Sequence, residues 1–221
     1  MRGFGMLPDS AAYCYMFTDP SSNDLTRFEQ LHPLEKTLVS QAVDRRKAEF
    51  GDARWCAHQA LEQLGAQKEV ARQPILRGER GAPIWPEGYT GSMTHTDGYR
   101  AAVVAPLSTV RSVGVDAEPA ERLPDGVLNS IALRSEIGQL TKLVDAGLDH
   151  ADRLLFCAKE ATYKAWFPLT RRFLDFHEAE IDLRADGTFF SYLLVRPTPV
   201  PFITGTWMQR SGFLITTAVV Q

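Results

Sequence analysis

Gly91-Ser92-Met93-Thr94-His95-Thr96-Asp97-Gly98-Tyr99-Arg100-Ala101-Ala102-Val103-Val104 places two strand-prone runs on either side of an Asp-Gly pair, a strong local signal for a β-hairpin. The C-terminus carries a likeness of it: Gly205-Thr206-Trp207 leads through Ser211-Gly212-Phe213 into Ile215-Thr216-Thr217-Ala218-Val219-Val220. In both, a small residue and a glycine make the turn, an aromatic residue follows, and the strand ends in Val-Val. Helical periodicity precedes each hairpin. Pro33 suits a first helical position, and Leu34, Leu38, Ala42 and Val43 follow at helical spacing. Gly51-Asp52 interrupts this run, and Ala53, Ala57, Ala60, Leu61 and Leu64 carry it on to Gly65. The second helical stretch covers residues 151–166. The chain thus reads as two similar halves of α+β class, residues 1–110 and 111–221, with the seam between Pro106 and Glu121.

Outside these blocks, residues 1–32 read as an irregular entry segment with one strong turn at Asp19-Pro20-Ser21-Ser22-Asn23-Asp24. Residues 66–91, rich in Gly and Pro, read as a long ordered loop or short hairpin around Leu76-Arg77-Gly78-Glu79-Arg80-Gly81. With 221 residues, 44% hydrophobic and 23% charged, and a mean hydropathy of −0.18, the composition is that of an ordinary soluble protein. Residues 1–110 hold 12 basic and 13 acidic side chains and the remainder 12 and 14. Neither half is therefore a polybasic tail for nucleic acid or an anionic membrane, and any anion site must be local. Cys14, Cys56 and Cys157 form no C-x-x-C pair and fit buried thiols in a reducing cytoplasm. Arg2 and an apolar stretch interrupted by Pro8, Asp9 and Ser10 lack the continuous apolar core of a secretory signal. No uncharged run is long enough to span a bilayer.

Val113-Gly114-Val115-Asp116-Ala117-Glu118 is a β-branched run ending in two carboxylates. Alternation on a strand puts Asp116 and Glu118 on one face, where they repel. They read either as a solvated strand end or as hard oxygen ligands for a cation such as Mg²⁺. In Phe156-Cys157-Ala158-Lys159-Glu160-Ala161-Thr162-Tyr163-Lys164-Ala165-Trp166, the residues Leu154, Ala158, Ala161 and Ala165 form the apolar stripe of an amphipathic helix. Phe156, Glu160 and Lys164 share a neighbouring stripe. Glu160 and Lys164 read either as a surface i,i+4 pair worth about 0.3–0.5 kcal/mol or as a third acid, or base, with a cation for a phosphate.

Taken in order, these segments resemble the Sfp-type 4′-phosphopantetheinyl transferases, whose signature blocks are G-V-D-x-E and W/F-x-x-K-E-A-x-x-K. Here they stand as Gly114 to Glu118 and Phe156 to Lys164. An R-R-x-x-E-F block leading to Arg-x-C-A (Arg45 to Ala57), the G-S-x-T-H hairpin and F-P-L-T after the second block are similar to the EntD/PptT branch. The likeness covers residues 40–176. It implies an enzyme, a holo-[acyl-carrier-protein] synthase, that moves the phosphopantetheine arm of coenzyme A onto a serine of an apo acyl or peptidyl carrier protein. Adenosine 3′,5′-bisphosphate leaves, and fatty-acid, polyketide or nonribosomal-peptide synthases, including those of siderophore biosynthesis, are activated.

By the same resemblance Asp116, Glu118 and Glu160 hold Mg²⁺, with Mn²⁺ as the alternative, and Glu160 or a water it orients is the base. Lys164 contacts the pyrophosphate, with Lys159 nearby. Arg46 and Arg54, about 80° apart on an ideal helix, grip the 3′-phosphate; Arg77 and Arg80 border the nucleotide, and Thr94 and His95 contact the coenzyme. The implied fold is a pseudo-twofold α+β monomer, cytoplasmic, with coenzyme A in the cleft between its halves. Ala117 stands where other members carry a further polar ligand, and Phe156 where Trp is common. Residues 119–150 are the expected part of the carrier-protein surface. Two other classes share the acids: a non-catalytic coenzyme A or carrier-protein binding module, and a Mg²⁺-dependent phosphohydrolase in which water attacks.

Overall fold

The chain divides into two compact units, Met1–Val113 and Gly114–Gln221, and the computed structural model describes Gly5 and Leu7–Gln221. The signal-peptide reading rests in part on Arg2 and residues 3, 4 and 6, which lie outside the described residues. In the first unit β1 (Ala12–Phe17), α1 (Thr26–Glu29), α2 (Pro33–Thr37), α3 (Asp44–Gln63) and α4 (Lys68–Ala71) precede the short strands β2 (Leu76–Arg77) and β3 (Pro83–Ile84). The expected hairpin follows as β4 (Tyr89–Thr96) and β5 (Tyr99–Pro106). Thr96 pairs with Tyr99 across the two-residue turn, and Gly98 takes the left-handed φ of 80° that the turn requires.

β1 adds to this hairpin to give a three-stranded antiparallel sheet in the order β1-β5-β4. This corrects the reading of residues 1–32 as irregular. β1 alternates small residues with aromatic ones instead of polar with apolar, so its pattern is masked. Ala12 and Cys14 pack under Cys56, Ala57, Ala60 and Leu61 of α3, while Tyr13, Tyr15 and Phe17 stack with one another and Tyr15 and Phe17 with Tyr99.

The helix break also falls elsewhere than expected. α2 stops at Thr37, and α3 runs unbroken through Gly51-Asp52. Gly51 is there for contact: a Cβ would meet the Phe28 backbone at 2.7 Å, so α1 can lie directly against α3. Residues 66–91 resolve into α4 and the β2–β3 hairpin.

The second unit holds β6 (Ser112–Pro119), which begins two residues before it, then α5 (Val127–Ile131), α6 (Arg134–Asp145) and α7 (Ala151–Thr170). Strands β7 (Ala179–Leu183), β8 (Thr188–Leu193), β9 (Phe202–Arg210) and β10 (Phe213–Val220) follow. Sheet order is β6-β10-β9-β8-β7. The β9–β10 turn, Ser211-Gly212, has positive φ at both residues, 50° and 82°, the twist that suits a two-residue hairpin. α7 is longer than the expected 151–166 and carries Pro168 inside it. Its buried stripe of Leu154, Ala158, Ala161 and Ala165 packs with Trp166 on Ile181, Phe189, Ile203 and Leu214 of the sheet.

Both units are therefore of α+β class, each laying a 20-residue helix on antiparallel strands, although one sheet has three strands and the other five. All three cysteines are free and buried. Among the described residues no helix is long and apolar enough to cross a membrane.

Candidate active site

In the second unit, Gly114 sets the distance between β6 and α7. A Cβ on it would fall 1.9 Å from Ala161 O and 2.8 Å from Ala165 N, so only glycine lets the strand lie on the helix backbone. Alternation then turns Asp116 and Glu118, of the same parity as Gly114, toward α7. Lys164 Nζ donates to Asp116 Oδ1 at 2.7 Å and to Val115 O at 3.1 Å. Eleven residues earlier on the helix, Arg153 Nη1 donates to Glu118 Oε2 at 3.0 Å. At 100° per residue Arg153, Glu160 and Lys164 fall within about 40° of one stripe. Glu160 thus sits between two carboxylate–cation pairs. Arg153 was invisible as a site residue in the sequence, although its spacing of seven to Glu160 was the signal that could have found it.

Charge and burial act together here. Burial, then the charge of Asp116, push the Glu160 carboxyl above the usual range, with Lys164 opposing. Glu118 is raised in the same way, with Arg153 and Lys164 opposing. Burial disfavours charge on Lys164, but Asp116 and Glu160 outweigh it and hold the ammonium above its ordinary value.

The three acids do not converge on one point: among the described residues no three or more His, Cys, Asp or Glu side chains come together to hold a metal ion. Lys164 engages Asp116 and Arg153 engages Glu118 instead. The donor chemistry nonetheless fits a hard dication. Mg²⁺ uses only one or two protein carboxylates alongside water and phosphate oxygens, and its charge would offset the burial and the repulsion from Asp116 that bear on Glu118 and Glu160.

Lys159 lies apart from this group. It is buried, and Nζ meets Glu136 Oε1 at 2.9 Å, Phe176 O at 2.7 Å and Ala179 O at 2.8 Å. An ammonium has three donors, and three acceptors occupy them. Lys159, expected near Lys164 at the coenzyme, stands one residue before Glu160, points off the stripe and ties α7 to α6 and β7.

In the first unit the basic residues assemble on α3 and around it. Arg46 Nη1 donates to His95 Nε2 at 2.8 Å and to Glu49 Oε2 at 3.3 Å. A guanidinium only donates, so His95 Nε2 is an acceptor and the ring proton sits on Nδ1, 3.9 Å from Glu49 Oε2. Arg54 is buried; its guanidinium lies 3.5 Å over the Phe50 ring and its Nε donates to Ile75 O. Burial lowers Arg54 to about 10, Glu35 opposes this, and the nearby charges of Arg77 and Arg46 lower it further. Arg46, Arg54 and Arg77 therefore form one cationic patch, with the neutral His95 ring against Arg46.

Thr94 faces away from His95, being the next residue of the strand, and is buried. Of the two residues expected at the coenzyme, His95 stands beside Arg46 and Thr94 is buried on the other face of the strand. Arg80 is exposed on the turn after β2 with a left-handed φ of 52°.

Residues 34–105 match the family model of the 4′-phosphopantetheinyl transferase N-terminal domain, and residues 112–218 that of the 4′-phosphopantetheinyl transferase superfamily. The chain belongs to the 4′-phosphopantetheinyl transferase superfamily. Among its relatives, the 4′-phosphopantetheinyl transferase Npt of Nocardia iowensis is 51% identical over 199 residues, 84% of this chain and 87% of that one. The 4′-phosphopantetheinyl transferase PptT of Mycobacterium tuberculosis is 43% identical over 222 residues, 96% and 93% of the two chains. Svp of Streptomyces mobaraensis, named for the same activity, is 43% identical over 223 residues, 97% and 87%. The resemblance read from the signature blocks and the expectation of an α+β transferase are both borne out. As in any member of this superfamily, coenzyme A is the donor substrate.

Proposed function

We infer that this protein transfers the phosphopantetheinyl group of coenzyme A to a serine of an apo carrier protein. The observation that carries this reading is Glu160 on the same stripe of α7 as Lys164 and Arg153, whose partners Asp116 and Glu118 stand on the strand of the first signature block. The serine oxygen attacks the phosphorus next to the pantetheine arm, the bond to the bridging pyrophosphate oxygen breaks, and adenosine 3′,5′-bisphosphate leaves. Glu160 takes the serine proton directly or through a water that it orients. Lys164 places its charge against the pyrophosphate. Asp116, Glu118 and Glu160 would hold Mg²⁺, with Mn²⁺ as the alternative, and the ion would neutralise charge developing on the phosphates.

In the first unit Arg46, Arg54, Arg77 and His95 form the grip on the coenzyme 3′-phosphate, a task for which planar guanidinium groups are suited. Arg80 borders the nucleotide. α6 exposes Ile137 and Val144, seven residues apart on one stripe, and we assign this stripe of the 119–150 segment to the carrier-protein surface. The free thiols agree with a reducing cytoplasm, and we read the protein as a monomer.

Intact-mass spectrometry of apo carrier proteins incubated with the protein, coenzyme A and Mg²⁺ tests the reading. The expected result is a gain of one phosphopantetheine on a carrier, lost with EDTA. Free phosphopantetheine would instead mean a hydrolase. No gain on fatty-acid, polyketide and peptide carriers, with coenzyme A still bound, would mean a binding module.

A further inference from the structure

Arg153 is the third residue of α7, and its whole guanidinium is committed to one segment. Nη1 donates to Glu118 Oε2 at 3.0 Å, Nε to Glu121 O at 3.2 Å and Nη2 to Arg122 O at 2.8 Å. Asp152 beside it accepts from Leu123 N at 3.0 Å. The first turn of α7 therefore clips the chain where it leaves β6, from Glu118 to Leu123. Both side chains of the Arg153–Glu118 pair are largely covered, at 13% and 20% exposure. Glu118 needs such a clip, because it is the second-last residue of its strand and Pro119 cannot supply a backbone N–H to extend the ladder beyond it.

We propose that Arg153 is a positioning residue for the metal step, fixing Glu118 by one oxygen so that Oε1 alone is presented to the cation. This rests on the assignment of a divalent ion to Asp116, Glu118 and Glu160. A planar fork suits the task better than an ammonium, since it reaches a carboxylate and two carbonyls at once and sets the carboxylate's rotation as well as its distance. Partners that orient a ligating carboxylate govern metal affinity by roughly 10–100-fold.

The test is calorimetric titration of Mn²⁺ into the full chain saturated with coenzyme A, for wild type, Arg153→Ala, Arg153→Lys and Glu121→Ala. Thermal melting confirms the fold, and hydrogen exchange reads residues 118–123. Arg153→Ala weakens Mn²⁺ binding by at least roughly tenfold and speeds exchange in 118–123, while Arg153→Lys falls between it and wild type. Glu121→Ala, which removes an exposed carboxylate 3.8 Å from the guanidinium, binds Mn²⁺ as wild type does. A role confined to packing would speed exchange without changing the metal affinity. Arg153→Ala and Arg153→Lys both binding Mn²⁺ as tightly as wild type, or more tightly, would overturn the proposal alone, the guanidinium then merely competing for the charge of Glu118. Wild type that takes up no Mn²⁺ would overturn the metal assignment, and this proposal with it.

Discussion

Lys159 Nζ stands 2.9 Å from Glu136 Oε1 with both side chains almost fully buried. Glu136 occupies the third position of α6: its Oε2 caps Leu133 N at 2.7 Å, and its Oε1 accepts from Ile181 N of β7 at 2.7 Å. The first unit repeats the device. Glu35, third in α2, caps His32 N with Oε2, while Oε1 accepts from Ile75 N at 3.0 Å and pairs with His58 of α3. In each unit a buried glutamate closes a short helix, holds a distant backbone N–H and anchors a cation from the long helix.

Removing one partner of such a pair leaves an uncompensated buried charge, at a cost of about 3–5 kcal/mol. Lys159→Met is expected to lose that much stability in urea unfolding. The double variant Lys159→Met/Glu136→Gln recovers part of it, since the amide still accepts from Ile181. Calorimetry on folded Lys159→Met at low temperature gives wild-type coenzyme A affinity. A large loss of affinity in a folded variant would restore Lys159 to the coenzyme site.

This pair also marks where the sequence stops being readable. The hairpins were legible because their turn chemistry is local: Gly98 and Gly212 supply the left-handed backbone that a two-residue turn takes. The D-x-E face followed from strand alternation, and the Glu160–Lys164 stripe from helical period. β1 was not legible, because Tyr13 and Tyr15 alternate with small residues that are also buried. Gly51 looked like a helix break and is a contact with Phe28, and nothing in the sequence around Lys159 announces Glu136, 23 residues away, which folding brings beside it.

Gly114 and Gly138 give opposite outcomes for the same substitution. At Gly114 a Cβ would sit 1.9 Å from Ala161 O, a backbone atom that cannot swing aside. Gly114→Ala must push β6 off α7, costing about 3 kcal/mol or more and separating Asp116 from Lys164. Gly138 lies in α6, and a Cβ added there would meet nothing within 4 Å, so Gly138→Ala is expected to stabilise by about 0.5–1 kcal/mol. Denaturation midpoints of the two variants check both signs.

His58 links stability to pH. Nδ1 lies 2.7 Å from Ala71 O and Nε2 3.0 Å from Glu35 Oε1; both partners accept, so both nitrogens donate and the ring is an imidazolium. Burial opposes the charge, but Glu35 and the Ala71 carbonyl outweigh it and raise the His58 pKa above 6.5. Because the folded value is the higher one, the stabilisation is complete below the unfolded pKa and fades as pH rises through the folded one. The stability gap between wild type and His58→Gln, read from urea midpoints across this range, narrows as pH rises. A gap that widens would show a neutral ring.

Arg77 offers the cleanest test of the cationic patch. It is exposed at the end of β2, and its charge reaches Arg54. Arg77→Ala therefore leaves the core intact, unlike Arg54→Ala, which would also strip Ile75 O of its donor and uncover Phe50. Losing one charge-assisted contact to a phosphate costs about 1.5–3 kcal/mol. Arg77→Ala is accordingly expected to weaken coenzyme A binding by roughly tenfold or more while leaving dephospho-coenzyme A, which lacks the 3′-phosphate, bound as wild type binds it. Competition calorimetry with the two ligands separates the cases. Equal weakening of both would move Arg77 from the 3′-phosphate to the pyrophosphate or the adenine, and the grip on the 3′-phosphate would then fall to Arg46, Arg54 and His95 alone.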